Sequence, residues 1–249
     1  MCLASVVAAA VDLEPRTRQA YDTYFHRARR EFLIRVEQAN VPALRPDEIA
    51  ASPAQEDGII GVPGGLIHHW IGRAYVRGVS LDRAVEVSRS YASYHRIYKP
   101  IIESRLLEHH GNTYRVLMRL KEGEAGITAV FDIRSTIEYV GPADNRAHAV
   151  SDSEEIREGR NPGRPDEHLL PPGRDRGYLW RASTLSRFVQ VPGGVYVEME
   201  TLGLSRRFPA MLGWIIEPIA RRIGRKSAEA TLREFRVAIY AREATIAAH

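Results

Sequence analysis

The chain has 249 residues, of which 44% are hydrophobic, 27% charged and 8% aromatic, as in one ordinary globular domain or two small ones. This composition argues against intrinsic disorder and collagen-like repeats, and no apolar run is long enough to predict a membrane-spanning helix. The formal net charge of +4 does not by itself indicate a nucleic-acid partner. The single cysteine, Cys2, excludes a disulfide framework within the chain and a zinc site built from cysteines.

The first ten residues have the apolar and small-residue character of the end of a secretory signal peptide, with a candidate cleavage site at Ala8-x-Ala10. They lack a basic n-region, so an ordinary frayed N-terminus fits the same residues. In the first case residues 1–13 are the remnant of a signal peptide and the protein is periplasmic or secreted. In the second case the protein is cytoplasmic.

Residues 14–57 are predicted to form a helix and a connecting arm. Between Glu14 and Asn40 the apolar residues recur every three or four positions, which is typical of an amphipathic helix. Segment 41–65 contains four prolines and has no regular period, so it is predicted to be a connection. The main domain is predicted to span residues 58–249.

The first part of this domain has the pattern of a strand followed by a helix. Leu66 to Arg77 is rich in β-branched and aromatic residues, which favour a strand. Ser80 is a good N-cap for a helix that reaches Tyr91 or Tyr94.

A meander of antiparallel strands is predicted next, because apolar and polar residues alternate between Ile101 and Ile156. The alternation is clearest from Ile127 to Tyr139, where it places Phe131 and Ile133 in the interior. The charged segment 157–176, rich in proline and glycine, predicts a long mobile loop.

Two more strands are predicted after that loop, joined by the turn Val191-Pro192-Gly193-Gly194. Residues of one parity are predicted to face inward: Tyr178, Trp180 and Phe188 on the first strand, and Val195, Val197 and Met199 on the second. A four-residue loop would place Arg187 opposite Glu198 on the outer face.

The helical period returns from Phe208 to the end of the chain, which predicts one long helix that Pro218 and Gly224 bend. A strand, a helix, a meander of about six strands and a long C-terminal helix together indicate one α+β domain with an antiparallel sheet.

This order of elements resembles the helix-grip fold of the START/Bet v 1-like (SRPBCC) superfamily. Four stretches are also similar to a bacterial START-like group: Leu66-Ile-His-His-Trp-Ile-Gly, Ile97-Tyr-Lys-Pro-Ile-Ile-Glu-Ser-Arg-Leu-Leu, Tyr178-Leu-Trp-Arg and Gly193-Gly-Val-Tyr-Val-Glu-Met-Glu. The resemblance covers residues 58–241, so the N-terminal helix is an addition. One departure is that only one clear helix follows the first strand, where a helix-grip domain has two, with at most a short turn near Ile97.

The resemblance implies a curved antiparallel sheet wrapped around the long C-terminal helix, with an apolar cavity between them. Such a cavity binds lipids, sterols, polyketides or other hydrophobic molecules. The sequence contains no Gly-x-Ser-x-Gly elbow, Walker loop, His-Glu-x-x-His or EF-hand loop, so no metal or cofactor is predicted.

The expected partner is therefore a hydrophobic small molecule or lipid. The residues predicted to line its site are His68, Trp70, Phe131, Ile133, Tyr178, Trp180, Phe188, Val197 and Met199 on the sheet, and Ile219 and Phe235 on the helix. His68 would hydrogen-bond the polar end of a ligand, or it is a buried histidine satisfied by a backbone carbonyl. Adjacent side chains on a strand point to opposite faces, so His68 and His69 cannot chelate one ion together.

Two other functions fit the same residues. The first is a cyclase or hydratase, in which an inward His68 works with Tyr75 or Asp152 as acid and base. The second is an interaction module whose N-terminal helix docks a partner protein or a second copy. A binding protein is favoured over an enzyme.

The C-terminal part also carries a basic cluster. Arg221, Arg222, Arg225 and Lys226 are either the solvated face of the helix or a site for anionic headgroups. With Met211 and Trp214 nearby, segment 204–218 is predicted to be a mobile gate that touches an anionic membrane. A nucleic-acid partner is not expected, because no aromatic residues are interleaved with the basic ones.

Overall fold

The computed structural model describes residues 12–38, 41–45, 47–55, 57–124, 127–171, 175–207 and 224–241. Some predictions fall on residues outside these ranges. They concern the signal peptide up to residue 11, the helical bend at Pro218, and the site residues Met211, Trp214, Ile219, Arg221 and Arg222.

Helices and strands follow one another in the order predicted for an α+β domain. The helices are α1 (Pro15–Glu37), α2 (Leu81–Ser88), a 3-10 turn (Tyr91–Ser93), α3 (Tyr94–Ile97) and α4, described over 224–241. The strands are β1 (Ile49–Pro53), β2 (Ile59–Val62), β3 (Gly65–Arg77), β4 (Ile101–His110), β5 (Thr113–Glu124), β6 (Ile127–Ala143), β7 (Arg146–Arg160), β8 (His168–Leu169), β9 (Arg181–Val191) and β10 (Gly194–Arg206).

The described strands form one antiparallel sheet in the order β1-β3-β10-β9-β7-β6-β5-β4, with β2 paired to β3 and β8 to β7. Helix α4 packs on one face, here called the inner face, where Leu232, Phe235 and Ile239 join a core with Phe188 and Val197. The sheet and a C-terminal helix were thus predicted correctly.

Helix α1 packs on the opposite face of the sheet, here called the outer face. Its Tyr21 and Phe32 are fully buried in a second core with Ile67, Leu185 and Leu204. The apolar stripe of this helix is therefore covered by the sheet of its own chain. A partner protein therefore cannot dock on this apolar stripe, because the sheet already occupies it.

Two predicted connections differ from the structure. The arm before the main domain contains β1 and β2, and β1 pairs with β3 from Ile49 opposite Ala74 to Pro53 opposite Trp70. The predicted long loop at 157–176 begins later, because β7 continues to Arg160 and β8 pairs with its end. The missed strands β1, β2 and β8 are too short to show a period of their own.

The region after β3 is helical as predicted, but α2 ends at Ser88 and not at Tyr91 or Tyr94. The Ser80 hydroxyl accepts a hydrogen bond from the Arg83 amide at 3.3 Å, so it caps α2. The short helix α3 (Tyr94–Ile97) lies where only a turn was expected. A second helix therefore follows the first strand.

Candidate ligand-binding site

The inner face brings together most of the residues predicted to line a ligand site. Phe188, Val197 and Met199 share one core with Phe235 of α4, and the rings of Phe188 and Phe235 lie 6.0 Å apart. His68 and Trp70 have the same parity on β3 as Gly72, and a Cβ at Gly72 would approach Leu232 of α4. These residues therefore line the surface that faces α4.

Phe131 and Ile133 lie further along the same face. Ile133 is opposite Met118, which packs against the core that contains α4. With Ala129 they form a separate apolar cluster, and Tyr178 packs against it. Phe131 and Ile133 are 5% and 4% exposed, so their predicted interior position is confirmed.

Trp180 is the exception, and its predicted inward orientation is wrong. It belongs to the outer-face core with Leu185 and Leu204, and its indole N–H donates to Asp175 Oδ1 at 2.9 Å. The physical reason is that β9 begins at Arg181, so strand alternation does not extend back to residue 180.

Polar groups are found at one end of the inner face. The His68 imidazole lies with Nε2 2.9 Å from the Ser205 hydroxyl, so its partner is a side chain and not a backbone carbonyl. Burial lowers the pKa of His68 to about 4, which keeps the ring neutral at neutral pH.

The indole of Trp70 lies beside this pair. Its side chain is 6% exposed, and its N–H has no hydrogen-bond partner among the described residues. Gly58, which has a positive φ of 85°, leaves room for the ring, because a Cβ there would lie 2.7 Å from Trp70 Cε2.

The acid and base groups suggested for an enzyme do not come together. The Tyr75 hydroxyl donates to the Pro192 carbonyl at 3.1 Å, and Asp152 accepts hydrogen bonds from Arg181 and Ser183. Tyr75 has the parity of Arg73, which contacts the outer-face carboxylate of Glu198. The predicted pairing of His68 with Tyr75 or Asp152 is therefore wrong.

His69 points to the outer face, as strand geometry requires, and leads to a buried polar cluster that the sequence did not reveal. Its Nδ1 lies 3.0 Å from the Tyr24 hydroxyl of α1, and its Nε2 lies 3.1 Å from a Glu200 oxygen. Burial, together with the nearby cations Arg35 and Arg27, lowers the pKa of His69 to about 4. The neutral ring therefore donates from Nε2 to Glu200 and accepts from Tyr24.

Glu198 is the centre of the same cluster. Its carboxylate lies 3.1 Å from Arg187 Nε and accepts hydrogen bonds from Arg73 Nε at 2.9 Å and from the Tyr196 hydroxyl at 2.8 Å. Burial by itself would raise the pKa of Glu198, but Arg187, Tyr196 and the neighbouring guanidiniums hold it below its ordinary value. The carboxylate is therefore ionised.

Only part of the predicted gate and basic cluster is described. Leu204 is a fully buried residue of β10, so the predicted gate cannot begin there. Arg225 and Lys226 are exposed at the start of the described part of α4, and Arg225 pairs with Glu229 at 3.0 Å. Membrane contact through these residues stays a prediction.

Membrane-spanning helices and metal-binding clusters are both absent from the described residues. Within these ranges no helix is both long and apolar enough to cross a membrane. In the same part of the chain no three histidine, cysteine, aspartate or glutamate side chains are arranged to hold a metal ion.

The similarity of this chain to known proteins is a similarity of structure. No protein-family model matches the chain, and no curated protein matches its sequence. The STAR-related lipid transfer protein of Xanthomonas axonopodis (fragment 25–204) is similar, with a TM-score of 0.50, 14% identity and coverage of 74% of this chain and 99% of that one. Human STARD10 gives a TM-score of 0.49 at 10% identity, with coverage of 79% and 78%. The di-domain ARO/CYC StfQ from the steffimycin biosynthetic pathway has a TM-score of 0.46 and 13% identity, and the match covers 72% of this chain and 52% of that one.

The Xanthomonas likeness shows the fold, since 14% identity is too low to carry a ligand from one protein to another. One antiparallel sheet with a C-terminal helix across its inner face agrees with that likeness. The chain therefore has the START/Bet v 1-like helix-grip fold, with α1 on the outer face of the sheet.

Proposed function

We propose that the protein binds a hydrophobic small molecule or lipid between the inner face of the sheet and α4. The observation that carries the proposal is that, among the described residues, the apolar side chains of the inner face form two separate buried clusters, and only one of them contains α4. The cluster of Ala129, Phe131 and Ile133 is separate from the core that contains Leu232 and Phe235, and in the described part of the chain it includes no residue of α4. Ligand cavities are lined mainly by apolar side chains with a few polar groups, so a ligand would fit between these two clusters.

The polar groups at the end of the inner face suggest what kind of ligand would fit. A neutral His68, the Ser205 hydroxyl and the Trp70 N–H can form hydrogen bonds with a hydroxyl or carbonyl oxygen, and the Trp70 N–H has no partner in the part of the chain that the structure describes. A buried N–H without a partner costs about 1–3 kcal/mol, so a ligand oxygen that accepts from Trp70 would gain affinity. We therefore expect an apolar molecule with a neutral oxygen-containing group.

Binding is favoured over turnover because, within the described ranges, the hydrogen-bond partner of His68 is neither an acid nor a base. Its hydrogen-bond partner is the hydroxyl of Ser205, while Tyr75 and Asp152 lie on the outer face with partners of their own. The similarity to a protein described as a STAR-related lipid transfer protein supports the same choice.

The proposal can be tested with a fluorescent fatty-acid analogue and delipidated protein. Ala129→Phe would add a ring beside Phe131 on the inner face, whereas Thr128→Phe adds the same ring at the adjacent, exposed position on the opposite face. We expect the analogue to bind the wild type and Thr128→Phe at micromolar concentrations and to lose affinity for Ala129→Phe.

Native mass spectrometry of protein purified from its own host would then identify any molecule that is carried along. If the analogue fails to bind the wild type, or binds both variants equally, the inner face is not the site. Circular dichroism of the two variants would confirm that each is folded when its affinity is measured.

A further inference from the structure

A cavity of about 250 Å³ lies on the outer face, between the end of α1 and the sheet. Arg35 of α1 and Gln38, the C-cap of that helix, form one side, and Arg73, Arg187 and Glu198 form the floor. It is on the opposite side of the sheet from the proposed ligand site. Nothing in the proposed function uses it.

The charges around this cavity do not balance. Three guanidiniums, those of Arg35, Arg73 and Arg187, meet two carboxylates, those of Glu198 and Glu200. His69 beside Glu200 adds no charge, because burial keeps its ring neutral. The cluster therefore carries one positive charge in excess, and Arg187, which is 2% exposed, is fully withdrawn from water.

Among the described residues, the charges beside the cluster do not remove the excess: Arg27 and Glu31, which line the adjoining pocket with Arg35 and Glu200, are opposite in sign. Arg146 lies 3.6 Å from Asp144, so this pair is neutral as a whole. In the last turn of α1, the Arg35 carbonyl accepts a hydrogen bond from Arg187 Nη1 at 2.7 Å. A helix C-terminus contributes only about half a negative charge, so the surroundings of the cavity remain cationic.

The arginines are also arranged suitably for an oxyanion. Arg187 and Arg73 lie on either side of Glu198 on adjacent strands, because Glu198 is opposite Arg187 on β9 and opposite Arg73 on β3. Guanidiniums present planar sets of donors that fit carboxylate and phosphate groups. A buried charge is stable only when it is compensated.

We propose that this cavity binds a small oxyanion of the phosphate or carboxylate class, held by Arg35, Arg73 and Arg187. The anion would complete the charge balance between α1 and the sheet and would stabilise the docked position of α1. This site is independent of the hydrophobic site on the inner face.

Inorganic phosphate is the probe, and the thermal unfolding midpoint is followed against phosphate concentration at constant ionic strength, with chloride as the replacement salt. Gln38→Glu introduces a negative charge at the cavity, at an exposed position. Gln19→Glu makes the same change at an exposed position on the same helix, about 28 Å away along its axis. That distance exceeds the Debye length of about 8 Å at physiological salt.

We expect phosphate to stabilise the wild type and Gln19→Glu equally, and its apparent Kd to rise about tenfold or more in Gln38→Glu, because like charges a few ångströms apart repel strongly. Arg73→Gln removes the excess charge and should remove the phosphate effect as well. If Arg73→Gln does not fold, the pair at positions 38 and 19 still decides the question.

Two results would overturn the proposal. One is a wild type that phosphate stabilises no more than chloride does. The other is an equal response to phosphate in Gln38→Glu and Gln19→Glu, which would place the bound anion elsewhere. Binding of the fatty-acid analogue should be unaffected by phosphate, so this site and the proposed function can fail separately.

Discussion

Arg187 and Glu198 lie directly opposite each other on β9 and β10, and both side chains are buried beneath α1 with exposures of 2% and 1%. The Arg187 guanidinium also donates to the carbonyl of Arg35 in the last turn of α1 at 2.7 Å. The pair therefore connects the sheet to the helix that covers it. A buried pair of this kind is costly to break, because the remaining charge has no water to solvate it.

The first prediction concerns the loss of the shared carboxylate. Glu198→Gln keeps the shape of the side chain but leaves the buried Arg187 without its counter-ion, so we expect a loss of about 3 to 5 kcal/mol in the free energy of unfolding. Arg225→Gln removes an exposed ion pair with Glu229 and should cost less than about 1 kcal/mol. Urea unfolding of both variants checks this, and similar losses would show that Glu198 is not the centre of the cluster.

The second prediction concerns pH. His69 has a folded-state pKa of about 4 against an ordinary value of 6.5, so below pH 6.5 the unfolded chain takes up a proton that the folded chain refuses. The stability from keeping this ring neutral is complete above pH 6.5 and is lost as the pH falls toward 4, by at most about 3 kcal/mol.

His69→Gln tests this assignment, because glutamine can hydrogen-bond but does not titrate in this range. We expect the fall in unfolding free energy between pH 6.5 and 4 to become shallower in His69→Gln and to stay unchanged in His109→Gln, whose ring is at an exposed hairpin tip. An unchanged slope in His69→Gln would mean that other groups cause the acid sensitivity.

Much of the fold could be predicted because long elements carry a period of their own. The alternation in β6 and the N-cap at Ser80 are local signals, and both were interpreted correctly. Strands β1 and β2 were missed because five and four residues are too few for a pattern. They are strands because β3 offers them a partner, which is a tertiary effect.

The site could be predicted less well for a related reason. The opposite orientations of His68 and His69, and the pairing of Arg187 with Glu198, follow from strand geometry and are confirmed. The burial of that pair could not be derived, because it depends on where α1 docks. Trp180 was assigned to the wrong face because parity has no meaning outside the strand.

The third prediction tests the inner face. Phe131 is 5% exposed in the cluster with Ala129 and Ile133, so Phe131→Ala should lower the free energy of unfolding by about 3 to 5 kcal/mol. Arg134→Ala, on the same strand but exposed and facing outward, should change it by less than about 0.5 kcal/mol. Denaturant midpoints that coincide for Phe131→Ala and the wild type would contradict the interior position of Phe131.

The last prediction tests how closely α4 approaches the sheet. A Cβ at Gly72 would lie 2.8 Å from Leu232 Cδ1 and 3.4 Å from the Ala228 carbonyl oxygen, so the helix crosses β3 where the strand has no side chain. Gly72→Ala should therefore destabilise the protein by about 1 to 3 kcal/mol through overpacking. Leu232→Ala alone should cost about 2 to 5 kcal/mol, because it leaves a cavity.

The double variant separates close packing from a general intolerance of β3 to alanine. Leu232→Ala removes the atom that the new methyl group would strike, and the methyl group fills part of the cavity. The double variant should therefore lose less unfolding free energy than the sum of the losses in the two single variants. Gly78→Ala is not a suitable control, because its positive φ of 72° would add strain of its own. Strictly additive losses would mean that α4 does not rest on Gly72, and the contact between helix and sheet would then have to lie elsewhere along β3.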